Sequence, residues 1–151
     1  MEAEVYPDPR VADFVTRELV ADRAHVKEQP TMWHRFGVRW TPTVLVLDPD
    51  GREVRRIEGF LPADELLGQL ELALGYLAVN RKRWADAERH FEAAVRDWPD
   101  TDAGPEGQYW AGVARYSASH EGGELKQVAR AFRERYADTS WAKRASVWST
   151  E

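Results

Sequence analysis

The residues best suited to binding chemistry lie in the stretch VRWTPTVLVLDPDGREV, positions 38–54. Thr41-Pro42 stands directly before an apolar run, and Trp40 precedes the pair. Large aromatic side chains are common on binding surfaces, and Trp33 lies only one short segment upstream. Trp33, Trp40, Thr41 and Pro42 are therefore the candidate partner-binding residues. The alternative is that Pro42 simply begins a strand and the two tryptophans cover the sheet.

No catalytic residue or metal site is expected from the remaining reactive side chains. The chain has no cysteine, which excludes disulfides, thiol catalysis and thiolate metal ligands within these 151 residues. Ser117 and Ser119 lie near a histidine, but no glycine-rich nucleophile turn accompanies them. No phosphate-binding loop is present, so no cofactor is predicted. The four histidines lack metal-ligand spacing: His25, His34, His90 and His120.

Composition limits the classes of partner. The net charge of −5 argues against a nucleic-acid binder. No apolar run is long enough to span a membrane. The N-terminal segment MEAEVYPDPR is acidic and lacks the apolar core of a signal peptide. The sequence therefore predicts a cytoplasmic protein that binds neither nucleic acid nor membrane.

The first half of the chain has the pattern of an α/β unit. The strand 43–47, TVLVL, is apolar at both its odd and its even positions, which predicts burial of both faces. The turn DPDG follows it, with Gly51 free to adopt positive φ. The other predicted elements are a helix that starts at Asp8-Pro9, a strand 19–26, a short helix from Pro30 that ends near Gly37, a polar strand that ends at Gly59, and a helix 62–80.

From residue 76 onwards the pattern is entirely helical, so we predict two domains, 1–75 and 76–151. Apolar residues recur at helical spacing, as in Ala87, Phe91 and Ala94. The segment RHFEAAVRDWPDT (89–101) has an echo in RAFRERYADTS (130–140). The offset between the two Asp-Thr pairs is 38 residues, which is close to the period of paired-helix repeats.

These features resemble the thioredoxin-like family. Residues 1–75 match the C-terminal two-thirds of that fold, most specifically in FGVRWTPTVLVLDPDG. The tail is similar to tetratricopeptide-type repeats, notably in WPDTDAGPEGQYWAGVARY. The resemblance implies a partial thioredoxin-like sheet with flanking helices, followed by an all-α repeat region. It also implies a cis Thr41–Pro42 bond, with the backbone before the proline pairing with an extended substrate.

The sequence departs from the family at one central element. In the resembled fold a central strand leads into Cys-x-x-Cys and separates the strands that correspond to 19–26 and 43–47. Nothing in these residues matches that strand. Unpaired backbone groups are costly, so we expect one of three outcomes. The two strands pair directly, a second copy closes the gap as a homodimer, or the translated start lies upstream of Met1.

Two hypotheses about function follow. The first is a non-catalytic protein-interaction module with a protein or peptide partner, in which the repeat tail offers an additional surface. The second is a truncated thiol–disulfide oxidoreductase whose dithiol is encoded upstream of Met1. Whether the longer product is an enzyme stays open, because thiol redox chemistry needs a thiolate and these residues supply none.

Overall fold

The computed structural model describes residues 1–149 and shows a mixed α and β fold. The chain divides into two compact units, Met1–Leu66 and Leu67–Glu151. Both this division and the predicted boundary at 75/76 fall inside one helix. The elements are α1 Pro9–Glu18, α2 Pro30–Arg35, β1 Thr43–Leu47, β2 Glu53–Glu58, α3 Ala63–Asn80, α4 Trp84–Asp97, α5 Ala103–Ser119, α6 Gly122–Glu134, α7 Ser140–Ala145 and a 3-10 turn Ser146–Ser149.

The start of α1 follows directly from its local sequence. Asp8 is the N-cap and Pro9 occupies the first turn, as predicted. The Asp8 carboxylate accepts a hydrogen bond from the Arg10 backbone N–H at 2.9 Å and is paired with the Arg10 guanidinium at 2.9 Å. The hydrogen bonds from Arg10 hold the pKa of Asp8 below its usual range. Arg10 also bonds to Asp64 at 2.6 Å, which ties the beginning of α1 to the beginning of α3.

The predicted strand 19–26 is wrong. The segment between Glu18 and Pro30 contains no strand, and Val20 is fully exposed. Its end forms a turn instead, in which the His25 carbonyl accepts from the Gln29 N–H at 2.8 Å. A strand needs a neighbour to pair its backbone, and within residues 1–149 this segment has none. The expected direct pairing of 19–26 with 43–47 is therefore also wrong for this structure.

The hairpin forms as predicted. Strands β1 and β2 pair antiparallel, with Val44 opposite Ile57 and Leu45 opposite Arg56. The turn is closed by the Gly51 N–H, which donates to the Asp48 carbonyl at 2.9 Å. Gly51 has φ of +78°, a conformation that costs glycine little because it has no Cβ.

Burial of β1 is lower than its composition predicts. An uninterrupted apolar strand indicates burial of both faces. In β1, however, only Val46 is fully buried, and the other four residues are half-buried. The prediction of two covered faces is therefore wrong here. The physical reason is the size of the sheet, because two strands offer little surface for helices to cover.

The second unit has a continuous helical core. The predicted stripe Ala87, Phe91 and Ala94 is buried, and it joins α3 and α5 residues in one cluster. Gly75 allows α3 and α4 to lie close together, because a Cβ at this position would lie 2.5 Å from the Phe91 ring. A second cluster joins α6 to α7 and the 3-10 turn around Val128, Phe132 and Ala145.

Two helix–helix junctions in this unit share one hydrogen-bond pattern. The Thr101 hydroxyl donates to the Trp98 carbonyl at 2.7 Å, and the Thr139 hydroxyl donates to the Tyr136 carbonyl at 2.7 Å. Each hydroxyl also accepts a backbone N–H at the start of the next helix, at 3.2 Å. The Tyr136 hydroxyl further donates to the Pro99 carbonyl at 2.7 Å, so the second junction is bonded to the first.

Candidate functional site

Three of the four candidate residues form one turn at the beginning of β1. The Thr41–Pro42 bond is cis, as predicted. The Thr43 hydroxyl donates to the Trp40 carbonyl at 2.7 Å, and the Gly59 N–H donates to the Pro42 carbonyl at 2.8 Å. The turn is thus fixed to the strand that follows it and to the end of β2.

The Trp40 side chain lies on the surface, with 67% of its area exposed. Thr41 is also exposed, and Pro42 is half-buried. An indole with so much exposed area does not contribute to the core of this unit. Trp40 therefore fits the binding interpretation better than the alternative that it covers the sheet.

Trp33 takes part in a separate feature, a surface pocket of about 400 Å³. Arg39, the residue before Trp40, lines the same pocket, but Trp40 does not. In the structure Trp40, Thr41 and Pro42 therefore lie together in one turn. Trp33 lines a separate pocket that also includes Arg39, the residue before Trp40. The lining residues are Val26, Pro30, Trp33, His34, Gly37, Val38 and Arg39.

The strand that leaves the turn has one open edge. The bond between Gly59 N–H and Pro42 carbonyl fixes the alternation, so Val44 and Val46 direct their backbone groups toward β2. Thr43, Leu45 and Leu47 then direct theirs away from β2. Within residues 1–149 the sheet has no third strand, so this edge is unpaired. Unpaired strand edges are templates for pairing with another chain.

The outer edge of the hairpin differs in charge from this one. Strand β2 carries Glu53, Arg56 and Glu58, and the Arg56 guanidinium pairs with Glu53 at 2.6 Å and with Glu58 at 3.6 Å. The hydrogen bonds from Arg56 hold the pKa of Glu53 below its usual range. Charged side chains discourage edge-to-edge pairing, and β1 has none between Thr43 and Leu47. Of the two edges of this hairpin, the β1 edge is therefore the one that lacks charged side chains.

One positioning residue could not be found from the sequence. The Arg56 guanidinium donates to the Phe36 carbonyl at 2.5 Å and so anchors the segment between α2 and Trp40 to β2. The two residues are 20 positions apart, and neither shows a local motif for this contact. An arginine in a polar strand predicts only a solvated face.

The helical unit contains two polar pairs that sequence spacing also did not indicate. Glu71 and His90 Nδ1 lie 2.7 Å apart between α3 and α4, and both side chains are largely buried. The Tyr76 hydroxyl donates to the buried Glu106 at 2.5 Å. These pairs connect helices across the core, where buried polar atoms need partners. The Trp110 indole N–H is buried without a partner among the described residues.

Two other kinds of feature are absent from the described residues. No group of three or more His, Asp or Glu side chains in positions 1–149 is arranged to hold a metal ion. No described helix has the length and apolar character needed to cross a bilayer.

The comparison with protein families agrees with this geometry. Residues 1–74 match a family described as the thioredoxin-like domain, so the first half of the chain carries a domain of this class. The chain thus combines a thioredoxin-like domain with the complete absence of cysteine. No curated protein and no solved structure matches the chain.

Proposed function

We propose that this protein is a non-catalytic protein-interaction module in which the thioredoxin-like domain binds an extended segment of a partner. The segment adds as a strand to the open edge of β1, with Trp40, Thr41 and Pro42 at one end of that edge. The observation that carries the proposal is the uncharged, unpaired β1 edge beside a tryptophan that is 67% exposed.

In this arrangement the backbone of β1 provides affinity and the neighbouring side chains provide specificity. Backbone groups of Thr43, Leu45 and Leu47 supply hydrogen bonds to any extended segment, as in other cases of strand addition. Trp40 supplies a large apolar contact, and Trp33 supplies a pocket for one side chain of the partner. No step of this function requires a thiol, which agrees with the cysteine-free sequence.

A selection of random peptides displayed on phage tests this function. We expect the selected peptides to alternate apolar residues and to protect the amides of Thr43, Leu45 and Leu47 from hydrogen exchange. The Val44 and Val46 amides, already bonded to β2, are the internal reference. Trp40→Ala should weaken binding by about 2 kcal/mol, the typical cost of removing an aromatic anchor.

Phe60→Ala is the matched control, because Phe60 is another aromatic residue of this unit with 55% of its area exposed. This variant should bind the peptides as the parent protein does. The proposal is overturned if neither a selected peptide nor a second copy of the chain protects the outward amides of β1, or if peptide binding is unaffected by Trp40→Ala.

We also infer that the helical unit is a tetratricopeptide-like repeat. Helices α4 and α6 begin at Trp84 and Gly122, the same 38-residue offset that separates Thr101 from Thr139. The matching hydrogen bonds at the two junctions support the same period. Repeats interact mainly with their neighbours, so native-state hydrogen exchange should show α6 and α7 opening before α4 and α5. A single opening step for all four helices would contradict the repeat.

The open β1 edge also favours a second candidate, a thiol–disulfide oxidoreductase whose dithiol strand pairs with β1 in a longer product. Translating the coding DNA upstream of Met1 in frame tests this candidate. A Cys-x-x-Cys motif preceded by an apolar strand would support it. An in-frame stop codon directly upstream would remove it.

A further inference from the structure

We infer that the strand accepted by the open β1 edge is β1 of a second copy of this chain, joined antiparallel about a two-fold axis at Leu45. The inference rests on the proposed function, because it names the partner for the same edge. It gives a four-stranded sheet in the order β2, β1, partner β1, partner β2.

The hydrogen-bonding groups of the edge are complementary to themselves. With the axis at Leu45, Thr43 of one copy lies opposite Leu47 of the other, and Leu45 lies opposite Leu45. All three residues direct their backbone N–H and C=O outward, so every outward group of one strand meets an outward group of its partner. A register shifted by one residue would place Leu45 opposite inward-directed Val44 and lose these bonds.

The charges at the two ends of β1 are complementary in the same arrangement. Arg39 precedes β1 and is exposed, whereas the turn that follows β1 carries Asp48 and Asp50. An antiparallel pair brings the Arg39 end of each copy toward the acidic turn of the other. A parallel pair would place like charges together, so electrostatics favours the two-fold arrangement.

The side chains on the edge favour a copy of the same strand. Leu45 is half-buried in the single chain and would lie beside Leu45 of the second copy. Cross-strand apolar pairs are a principal source of stability between strands. The absence of charge from Thr43 to Leu47 leaves no repulsion between the two identical strands.

Sedimentation of the full chain at low micromolar concentration is the first measurement. We expect a dimer for the parent protein and a monomer for Leu45→Pro. Proline at this position removes an outward N–H and leaves the bonds to β2 in place. Leu45→Val keeps the N–H and is the matched control, which should remain dimeric. Protection of the Val44 and Val46 amides from hydrogen exchange would show that the hairpin of the proline variant is folded.

Single cysteine substitutions then test the register in a chain that has no other thiol. Opposed residues of a hydrogen-bonded antiparallel pair have Cα atoms about 5.5 Å apart, within the range of a disulfide. Leu45→Cys should therefore form an intermolecular disulfide under oxidised glutathione. Thr43→Cys should not, because its own copies would lie about 13 Å apart along the strands. A mixture of Thr43→Cys and Leu47→Cys should again cross-link.

The outcomes separate this inference from the proposed function. A monomer that still binds displayed peptides at the β1 edge overturns the self-pairing and leaves the interaction module intact. A monomer with exchanging β1 amides and no peptide binding overturns both. A dimer that survives Leu45→Pro and does not cross-link through Leu45→Cys uses another surface and overturns the inference.

Discussion

The two units of this chain differ in how they satisfy their backbones. In the helical unit each helix makes its hydrogen bonds internally, and side chains such as Phe91 and Phe132 fill the space between helices. In the thioredoxin-like unit the sheet has two strands, and one edge of β1 is unpaired. Most of the buried apolar side chains of the described residues belong to the helical unit.

The two units differ in this way because helices and strands have different requirements for pairing their backbones. A helix needs only an apolar stripe and a neighbour, whereas a strand needs a second backbone on each edge. The helical unit therefore completes itself from its own sequence. In our proposal, the unit with the open edge obtains its last hydrogen bonds from another chain.

We expect the largest loss of stability from Phe91→Ala in the helical unit. The Phe91 ring is completely buried among α3, α4 and α5, so its removal leaves a cavity that the helices cannot fill. We expect a loss of about 3–5 kcal/mol in the free energy of unfolding of the helical unit. Denaturant titration followed by far-ultraviolet circular dichroism measures this loss. Phe60→Ala is the surface control, and an equal effect of the two substitutions would contradict the contrast in packing.

A smaller loss is expected from Gly75→Ala. The added Cβ would lie 2.5 Å from the Phe91 ring, so the helices must separate or the ring must rotate. Overpacking of this kind costs about 1–3 kcal/mol, which exceeds the gain from replacing a helical glycine. The same denaturant titration measures it. Gly123→Ala is the control, because a Cβ there has no neighbouring atom within 4 Å. Stabilisation by Gly75→Ala would show that the helical core is looser than described.

A still smaller effect is expected from Tyr136→Phe. Loss of the hydrogen bond to the Pro99 carbonyl should cost about 1 kcal/mol and weaken the connection between the two junctions. Burial raises the pKa of Tyr136, so its contribution is complete below the ordinary tyrosine pKa of about 10 and is lost as the pH rises through the raised value. Unfolding titrations from pH 8 to 11 measure this. The parent protein should lose stability above about pH 10 more steeply than the variant. Equal slopes would contradict the role of Tyr136.

The smallest effect on stability is expected from Trp40→Ala. Because the indole is 67% exposed, its removal should change the free energy of unfolding by less than about 0.5 kcal/mol. The same substitution should strongly reduce peptide binding, so stability and binding separate at this residue. Thermal unfolding of the parent and the variant provides the measurement. A large loss of stability would show that Trp40 is part of the core and would remove it from the binding site.

Much of the fold could be predicted because it depends on residues close together in the chain. Asp8 and Pro9 start α1, and the DPDG turn closes the hairpin. The spacing of Ala87, Phe91 and Ala94 indicates the face of α4 that is buried. In each case a few neighbouring residues limit the backbone to one conformation, so the prediction needed no knowledge of distant contacts.

The candidate site was predicted only in part. Trp40, Thr41 and Pro42 adjoin in the sequence and remain together in the structure. Trp33 is at the pocket nearby, and no local pattern could show that Trp40 would not line it. The anchoring contact from Arg56 to the Phe36 carbonyl depends on the hairpin folding against α2.

Local sequence is sufficient to predict the helix starts, the hairpin and its turn, and the helical stripes. It also excludes thiol chemistry within these residues. Only contacts between distant segments show that residues 19–26 form no strand and that β1 keeps an open edge. They also show that Glu71 meets His90 and that Tyr76 meets Glu106. The physical reason is that turns and caps are satisfied by adjacent residues. Strand pairing and buried polar contacts instead depend on which distant segments the fold brings into reach.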